Sequence, residues 1–286
     1  MAKRPSGKVK RARSGRGSSS LRTLPPRLSS IPPFDRFSLY ELCVQSPDRM
    51  VPFLRAVHGG RPRVLREDFC GSGGVCRAWA AQGPRSRAIG VDMDPEPLKR
   101  LRGVSRVRAV RADVLDCDAR ADIISATNFP IGYWHTRPDL LRYLKRTRSR
   151  LSKGGVFICD TYGGASAFEP GSTRRDLWIQ GGIRVRYTWE QREADPLTGL
   201  VLDVIHFRAD RDGEVIADLP GAFTYHWRLW SIPELRDAMR EAGFASTQVY
   251  AELADAVDSA GRLYVRPVSD PRELGRDYIV CIAARD

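Results

Sequence analysis

A glycine-rich turn followed by a well-spaced acidic residue is the part of this sequence best suited to chemistry. Residues 64–74 read VLREDFCGSGG, an apolar stretch that ends in small residues and runs into a helix-forming stretch. Gly71 and Gly73 carry no side chain, so the backbone can approach a ligand, and free N–H groups at the start of the helix face the turn. Asp92 lies 21 residues after Gly71, at the end of the next apolar stretch. A carboxylate there can accept both hydroxyl groups of a ribose.

The spacing of the glycines indicates which kind of nucleotide ligand suits this turn. A dinucleotide site needs a third glycine, because the helix must pack closely while the pyrophosphate lies at its N-terminus. The third position counted from Gly71 and Gly73 is Cys76, so that fingerprint is absent. Asp113 follows the third apolar stretch, and its carboxylate can accept a hydrogen bond from the exocyclic amine of adenine. The sequence therefore favours a nucleoside ligand without a pyrophosphate.

These residues resemble the motifs of class I S-adenosylmethionine (AdoMet) methyltransferases, over residues 61–159 and again over 231–283. The resemblance implies AdoMet as the cofactor, with Glu67 and the turn at Gly71 beside its methionine moiety and Asp92 on its ribose. The full set of cofactor contacts that the resemblance implies is Glu67, Phe69, Gly71, Gly73, Asp92, Met93, Asp113, Val114 and Asn128.

Phe69 departs from the family's pattern. It occupies the position of the first glycine in the usual D/E-x-G-x-G-x-G motif. A side chain at this position must point away from the cofactor or pack against it. The departure is also the feature that best supports an alternative hypothesis, in which the chain is a non-catalytic nucleotide-binding or regulatory module that has kept the fold.

An aromatic loop, NFPIGYWH, follows the fourth apolar stretch at residues 128–135, and the resemblance places it beside both the sulfonium and the substrate. Methyl transfer is an in-line displacement, so alignment and exclusion of water supply most of the acceleration. A neutral amine acceptor needs no strong base, whereas a hydroxyl acceptor could use His226 or His135. The predicted catalytic residues are Asn128, Tyr133 and His226, and the predicted substrate-lining residues are Trp134, Tyr162 and Trp227. Plain packing is the alternative role for these aromatic side chains.

Apolar strands alternate with helical stretches up to about residue 164, which predicts an α/β fold with a doubly wound, Rossmann-like sheet. Strand-like stretches at 183–193, 200–209 and 214–227, joined by hairpin-turn sequences, predict an antiparallel β insertion after the fifth strand. Ser231 and Glu234 form a capping-box pattern that starts a later helix. The expected organisation is a disordered basic leader (1–33), a helical lid (34–60), an AdoMet-binding core (61–164), a substrate-covering insertion (165–230) and a C-terminal part of the core (231–286).

The 286-residue chain has a formal net charge of +13, and most of the excess lies in its leader. Residues 1–30 contain nine Lys and Arg and no acid, which leaves 38 basic and 34 acidic residues in the remainder. A basic surface that follows a phosphate backbone across the fold is therefore not indicated, and nucleic acid is expected to bind only through the leader. The Arg- and Ser-rich start also resembles an organelle transit peptide.

The pattern of cysteines and histidines argues against disulfides and metals. The six cysteines include no C-x-x-C pair and the four histidines no H-x₃₋₅-H pair. No apolar run reaches the length of a membrane span, so we expect a cytoplasmic protein. The leading hypothesis is an AdoMet-dependent methyltransferase that acts on an N or O atom of a small molecule. The alternative within the enzyme class is an RNA or protein methyltransferase tethered by the basic leader.

Overall fold

The computed structural model describes residues 33–257 and 263–286, so nearly all of the predicted basic leader lies outside the described residues. The described chain begins with two helices, α1 (Arg36–Cys43) and α2 (Pro47–His58). Asp35 caps α1 by accepting hydrogen bonds from two main-chain N–H groups of its first turn. In the part of the chain that is described, no helix is both long and apolar enough to cross a bilayer.

Five parallel strands and the helices between them form the first half of the core. In chain order these elements are β1 (Val64–Asp68), α3 (Gly74–Ala81), β2 (Arg87–Asp92), α4 (Pro95–Leu98), β3 (Val107–Arg111), β4 (Ala121–Ala126), α5 (Arg137–Ser149) and β5 (Leu151–Gly164). α4 is short because it gives way to a 3₁₀ turn at Lys99–Leu101. β5 is longer than its apolar centre at 155–159, because its C-terminal half continues to pair with a strand from the end of the chain.

Four antiparallel strands follow β5 and form a separate sheet: β6 (Gly171–Ile179), β7 (Ile183–Asp195), β8 (Leu200–Arg211) and β9 (Glu214–Arg228). Of these four strands, the sequence pattern predicts only β7, β8 and β9. β6 escapes prediction because it is an edge strand whose side chains are mostly exposed, with Leu177 alone fully buried. The inner face of this sheet packs on α1, where Leu39 and Leu42 join Val185 and Phe207 in one buried cluster. The helix predicted as part of a lid therefore buries its apolar side against the insertion.

The chain returns to the core through α6 (Ile232–Glu241), β10 (Ser246–Tyr250), a short hairpin of β11 (Ala256–Val257) and β12 (Leu263–Tyr264), and β13 (Asp277–Arg285). The capping box of Ser231 and Glu234 forms as predicted. The seven core strands lie in the order β10-β13-β5-β4-β1-β2-β3, and β13 runs antiparallel to β5. The strand order reverses between β1 and β4, and ligands of α/β sheets bind at such a point beyond the strands' carboxyl ends. The predicted doubly wound fold and the antiparallel insertion are confirmed.

Helices cover both faces of the core sheet, α2 and α3 on one side and α5 and α6 on the other. Side chains alternate between these faces along β1, so Glu67 faces α3 while Arg66 and Asp68 face α5. Adjacent acids at the end of the same strand therefore lie in different environments. Only Glu67 is on the side of the glycine-rich turn and the helix that follows it.

Candidate active site

The turn after β1 owes its shape to three residues with left-handed backbone. Phe69, Gly71 and Gly73 have φ angles of 59°, 51° and 69°. Gly73 needs to lack a side chain, because a Cβ there would lie 2.6 Å from the side chain of Leu101. A Cβ at Gly71 would meet nothing within 4 Å, so the turn faces open space at that residue. The backbone at Gly71 is thus accessible to a ligand, as the sequence pattern suggests.

Phe69 takes the backbone conformation that suits a glycine. Its ring packs on the rings of Tyr133, Trp134 and Tyr143, at centroid distances of 5.7, 6.3 and 6.3 Å. The departure from the family's motif therefore changes a side chain and leaves the course of the turn intact. Where the family's motif has a glycine without a side chain, this chain has a phenylalanine whose ring packs next to the loop after β4.

Asp92 connects this turn to the end of β2. Its Oδ2 accepts a hydrogen bond from the N–H of Gly71 at 2.7 Å, and its Oδ1 accepts one from the N–H of Asp94 at 2.9 Å. Burial raises the pKa of Asp92, and these main-chain hydrogen bonds lower it. Each oxygen keeps a second lone pair, so the carboxylate can still accept two hydroxyl groups. Met93, the next residue, is largely exposed beside it.

Glu67 is buried behind the turn, on the α3 side of the sheet. Its Oε2 accepts hydrogen bonds from the main-chain N–H of Cys76 at 3.2 Å and from the Cys76 Sγ at 3.1 Å. Burial raises the pKa of Glu67 to about 7, although these hydrogen bonds and the charge of Arg77 lower it. Arg77 makes its own ion pair with Glu41. A cationic ligand at the turn would therefore stabilise the ionised form of Glu67.

The loop after β3 carries Asp113 and Val114. Asp113 Oδ1 accepts the N–H of Leu115 at 2.8 Å, which closes a tight local turn. The side chain of Val114 is buried, and its carbonyl oxygen accepts hydrogen bonds from Arg66 at 2.9 Å and from Arg150 at 2.7 Å. Two guanidinium groups inside the protein thus fix the backbone of the loop on which an adenine contact is predicted.

Arg66 is a positioning residue that the sequence analysis missed. It is 1% exposed, and its Nε donates to Asp68 Oδ1 at 2.7 Å. Its remaining nitrogens donate to the carbonyl oxygens of Val114, Cys117 and Ala119. The available signal was a run of three charged residues, Arg66, Glu67 and Asp68, in a stretch predicted to be a core strand, because charges that are buried must have partners.

Asp160 on β5 is the second missed residue. Its carboxylate accepts the main-chain N–H groups of Asn128 and Phe129 at 2.8 and 2.7 Å. Asp160 is 6% exposed, and burial raises its pKa to about 7 against the opposing effect of these hydrogen bonds. The signal was a lone charge at the end of the apolar stretch VFICD of this strand. Asp160 thereby determines the position of the loop after β4, which carries the predicted catalytic Asn128.

Four aromatic rings pack together where this loop meets the inner face of the insertion; we call this set, Phe129, Tyr162, Trp189 and Trp227, the aromatic chamber. The ring of Phe129 lies 5.2, 5.5 and 5.9 Å from those of Tyr162, Trp189 and Trp227. Two predicted substrate-lining residues, Tyr162 and Trp227, thus come together with two that were not predicted for that role. Tyr133 is 45% exposed at the edge of the chamber, with its ring 6.0 Å from that of Trp227.

Trp134 and His226 are not brought to the chamber. The indole of Trp134 stacks on Tyr143 at 5.2 Å and packs with the core of the α5 side, so its predicted substrate-lining role is not supported. His226 is exposed and lies between Tyr225 and Trp227 on β9, so its side chain points to the opposite face of the strand. Its ring lies 5.0 Å from that of His135. The prediction of His226 as a catalytic base is corrected accordingly.

A metal-based site finds no support in the described residues, where no group of three or more His, Cys, Asp and Glu could hold an ion. All six cysteines are buried as free thiols. Burial raises the pKa of Cys70 and of Cys76 well above the usual value, which leaves both as unreactive thiols at neutral pH. The chemistry of the site therefore rests on its carboxylates, its amide groups and its aromatic rings.

Comparison with known protein families agrees with this geometry. A family described as a methyltransferase domain matches residues 68–249, from the end of β1 to β10. The match covers more than half of the chain, which therefore belongs to the methyltransferase domain family. No curated protein sequence matches the chain.

Solved structures of the same fold cover nearly the whole chain. The sugar N-methyltransferase KedS8 from a Streptoalloteichus species has a TM-score of 0.62 and 16% identity, over 94% of this chain and 100% of its own. DesVI from Streptomyces venezuelae has a TM-score of 0.61 and 13% identity, over 84% and 89%. An S-adenosylmethionine-dependent methyltransferase from Clostridium acetobutylicum has a TM-score of 0.59 and 15% identity, over 86% and 96%. The fold, including the antiparallel insertion, is thus shared with enzymes of this class.

Proposed function

We propose that this chain is an AdoMet-dependent methyltransferase that transfers a methyl group to an N or O atom of a small molecule. The observation that carries the proposal is the pair of hydrogen bonds that Asp92 accepts from Gly71 and Asp94. They fix an accessible turn and an acid with unused lone pairs at the carboxyl ends of β1 and β2. That combination suits a nucleoside with a free ribose.

The other residues of the site fit the remaining parts of AdoMet. Glu67 and the turn at Gly71 would face its charged methionine portion, and Asp113 would accept the amine of its adenine. When bound, AdoMet supplies an activated methyl group on a positively charged sulfur. The chain's own contribution is to orient the two reactants and to exclude water, which the loop at Asn128 and the aromatic chamber are placed to do.

A small-molecule acceptor is supported by the way the insertion covers the site. The inner face of the insertion packs on the loop after β4, through contacts of Phe129 with Trp189 and Trp227. Such a covered chamber suits a compact acceptor better than a polymer. The similar structures include a sugar N-methyltransferase, which acts on a small molecule.

Calorimetric titration of the purified full-length chain with AdoMet tests the cofactor. We expect binding by the wild type and its loss in Asp92→Ala, because both the ribose acceptor and the anchor of Gly71 are removed. Asp94→Ala is the matched control, since Asp94 Oδ1 accepts only the N–H of Glu96 at the start of α4. Absence of AdoMet binding by the wild type would overturn the proposal.

Turnover separates an enzyme from a non-catalytic module that binds the same ligand. Labelled AdoMet is incubated with the chain and with pooled small metabolites or total RNA, and S-adenosylhomocysteine is measured. We expect S-adenosylhomocysteine to form when the chain is incubated with the metabolite pool. Binding of AdoMet without turnover on any fraction would favour the non-catalytic module. The left-handed backbone at Phe69 follows the course that a glycine would take, which supports a turn able to hold the cofactor.

A further inference from the structure

Asp203 on β8 is a buried acid that neither the cofactor site nor the fold accounts for fully. It is 1% exposed, and its Oδ2 accepts a hydrogen bond from the hydroxyl of Tyr162 at 3.0 Å. Its Oδ1 is buried and has no hydrogen-bond partner. A buried carboxylate oxygen without a donor is costly, and a bound ligand that supplies one removes the cost.

The polar atoms around Asp203 include more acceptors than donors, because only the Tyr162 hydroxyl and the Trp189 indole N–H hydrogen-bond its carboxylate. The side-chain oxygen of Gln191 lies 3.3 Å from the Tyr162 hydroxyl, and the Gln191 amide nitrogen is occupied by the carbonyl oxygens of Ala167 and Glu169. The single hydroxyl proton of Tyr162 goes to the nearer and more basic Asp203, so Gln191 receives none from it. A ligand that fits this cluster must therefore bring several N–H or O–H donors.

The charge of the cluster is also uncompensated. Burial raises the pKa of Asp203, and only hydrogen bonding by Trp189 and Tyr162 lowers it. No Lys or Arg of the described residues contributes to that pKa. Arg228, which lies near the chamber, stacks on Trp230 and pairs with Glu234. Once ionised, Asp203 thus carries a negative charge that a cationic ligand would balance.

The aromatic chamber surrounds this charge on the same side of the insertion. Asp203 pairs across the sheet with Gln191 on β7 and with Tyr225 on β9, and directly paired residues share a face. The ring of Trp189 lies 5.4 Å from that of Tyr162, and Tyr225 stacks on Trp227 at 4.2 Å. Aromatic rings next to a carboxylate are surroundings that suit an organic ammonium group.

We infer that the acceptor of this enzyme is an amine, and that Asp203 with Tyr162 and Gln191 binds its amino group inside the aromatic chamber. This inference rests on the proposed function and narrows its N or O acceptor to a nitrogen. An alcohol brings one donor and no charge, so it leaves the buried carboxylate uncompensated. An alkylammonium brings the charge and up to three donors.

The same carboxylate can accept the proton that an ammonium group must lose before its nitrogen attacks the methyl group. An ammonium nitrogen has no lone pair, and transfer of one N–H proton to Asp203 Oδ1 leaves a neutral amine. That lone pair then forms the N–C bond as the bond from the methyl carbon to sulfur breaks, and the bonding electrons stay on the sulfur. The product leaves as a methylated ammonium, and the proton on Asp203 returns to solvent.

The test compares primary amines with alcohols of the same shape, as the pairs cyclohexylamine with cyclohexanol and benzylamine with benzyl alcohol. Each is titrated calorimetrically into the full-length chain at pH 7, without AdoMet. We expect the amine of at least one pair to bind more than about tenfold tighter than its alcohol, which corresponds to the gain of one charged hydrogen bond. Equal binding within both pairs, or no binding of either amine, would overturn the inference.

Variants identify the residue responsible for this preference. Asp203→Asn has the same shape without the charge, and we expect it to lose the preference for amines while the alcohols bind as before. Asp218→Asn, at an exposed acid of β9, is the matched control and should keep the preference. Trp189→Leu removes both an aromatic ring and a hydrogen bond to Asp203, and it should weaken the binding of the amines more than that of the alcohols. A preference that survives in Asp203→Asn contradicts the assignment.

The two proposals fail separately. A chain that binds AdoMet but does not discriminate amines from alcohols refutes the amine site and leaves the methyltransferase proposal standing. A chain that prefers amines through Asp203 but does not bind AdoMet refutes the proposed function and leaves an amine-binding site. The melting temperature of Asp203→Asn, measured alongside, should equal or exceed that of the wild type, because a buried charge is removed.

Discussion

The carboxylate of Asp160 accepts a 2.7 Å hydrogen bond from the main-chain N–H of Phe129, a residue with left-handed backbone. The preceding residue, Asn128, has the same backbone conformation and donates to the other oxygen of Asp160 at 2.8 Å. Each such conformation in a non-glycine residue costs about 1–2 kcal/mol. Two hydrogen bonds to a buried carboxylate offset this cost, so the loop that bears Asn128 and Phe129 depends on one acid of the neighbouring strand.

We expect Asp160→Asn to lower kcat for methyl transfer by roughly tenfold to a hundredfold, which corresponds to the loss of one charge-assisted hydrogen bond. An amide side chain keeps one acceptor oxygen, so only one of the two N–H groups stays satisfied. Because Asp160 acts through the loop, the affinity for AdoMet should change much less than kcat. Steady-state kinetics and calorimetric titration together measure this split.

Asp122→Asn is the matched control for this prediction. Asp122 Oδ2 likewise accepts two main-chain N–H groups, from Arg63 and Val64 at 2.7 and 2.9 Å, but it lies at the opposite end of the strands. Its replacement should leave kcat unchanged and lower stability only slightly, because one amide oxygen can still accept both N–H groups. If Asp160→Asn behaves like Asp122→Asn, Asp160 has a structural role only.

An alanine variant is usually more stable than the glycine variant at the same position, and we expect this order of stability to be inverted at Phe69. Both Phe69→Ala and Phe69→Gly lose the packing on Tyr133, Trp134 and Tyr143 and should be less stable than the wild type. The glycine variant should exceed the alanine variant by about 1 kcal/mol, because the φ of 59° is free of strain only for glycine. Urea denaturation of the two variants measures this difference.

Trp134 provides the reference for the inversion. It packs in the same group of rings, but its φ is −82°, in the ordinary region. Trp134→Gly should therefore be less stable than Trp134→Ala, by about 0.4–1 kcal/mol. The same order at both positions would mean that the backbone at Phe69 relaxes when its ring is removed.

The sequence predicts most of the core because β2, β4 and the centre of β5 read as nearly continuous apolar runs. The edge strand β6, with the sequence GSTRRDLWI, carries no such signal, since its position depends on pairing with β7 and not on burial. Capping at Ser231 and the ends of β7 to β9 are encoded locally, in a capping box and in hairpin turns. The positions of these features could therefore be predicted to within a few residues.

The proposed cofactor side of the site follows a linear motif, whereas the proposed acceptor side depends on contacts between distant segments. Asp160 and Phe129 are 31 residues apart, and Tyr162 and Asp203 are 41 apart. The spacing of these residues along the chain does not indicate that either pair is in contact. Strand alternation alone would have separated His226 from Trp227, because neighbouring residues of a strand face opposite sides.

The buried pair of Arg66 and Asp68 should be among the most sensitive sites of the core. Both side chains are 1% exposed, and Asp68 Oδ2 also accepts a hydrogen bond from Tyr143 at 3.0 Å. We expect Arg66→Met to destabilise the chain by about 3–5 kcal/mol, because it leaves a buried acid without its base. Affinity for AdoMet should fall as well, since Arg66 holds the carbonyl of Val114.

Two further variants show whether the lost pairing is the cause. Arg240→Met removes an ion pair with Asp237 whose side chains are 68% and 61% exposed, and should change stability by less than about 1 kcal/mol. The double variant Arg66→Met with Asp68→Leu removes both charges and should recover much of the stability lost in Arg66→Met. Thermal and urea denaturation compare the three. A double variant no more stable than Arg66→Met would mean that the hydrogen bonds of Arg66 to the loop carbonyls dominate.

Glu67 should make the stability of the unliganded chain fall as the pH rises. Burial raises its pKa from the ordinary 4.5 to about 7, so between these values the folded chain binds a proton that the unfolded chain releases. The stabilisation is complete below pH 4.5 and is lost as the pH rises through 7. Asp160, with a pKa also raised to about 7, adds to the same decrease.

Glu67→Gln should therefore remove part of this decrease, on the order of 3 kcal/mol between pH 4.5 and 8, as measured by urea denaturation at several pH values. Asp176→Asn is the control: the pKa of this acid is lowered by its hydrogen bonds to Arg186, so its loss should change stability equally at pH 5 and pH 8. A cationic ligand near Glu67 favours the ionised form, so saturation with AdoMet should flatten the pH dependence of the wild type and not that of Glu67→Gln. Identical slopes for the wild type and Glu67→Gln without ligand would mean that Glu67 stays ionised in the folded chain, with Cys76 and Arg77 compensating its burial.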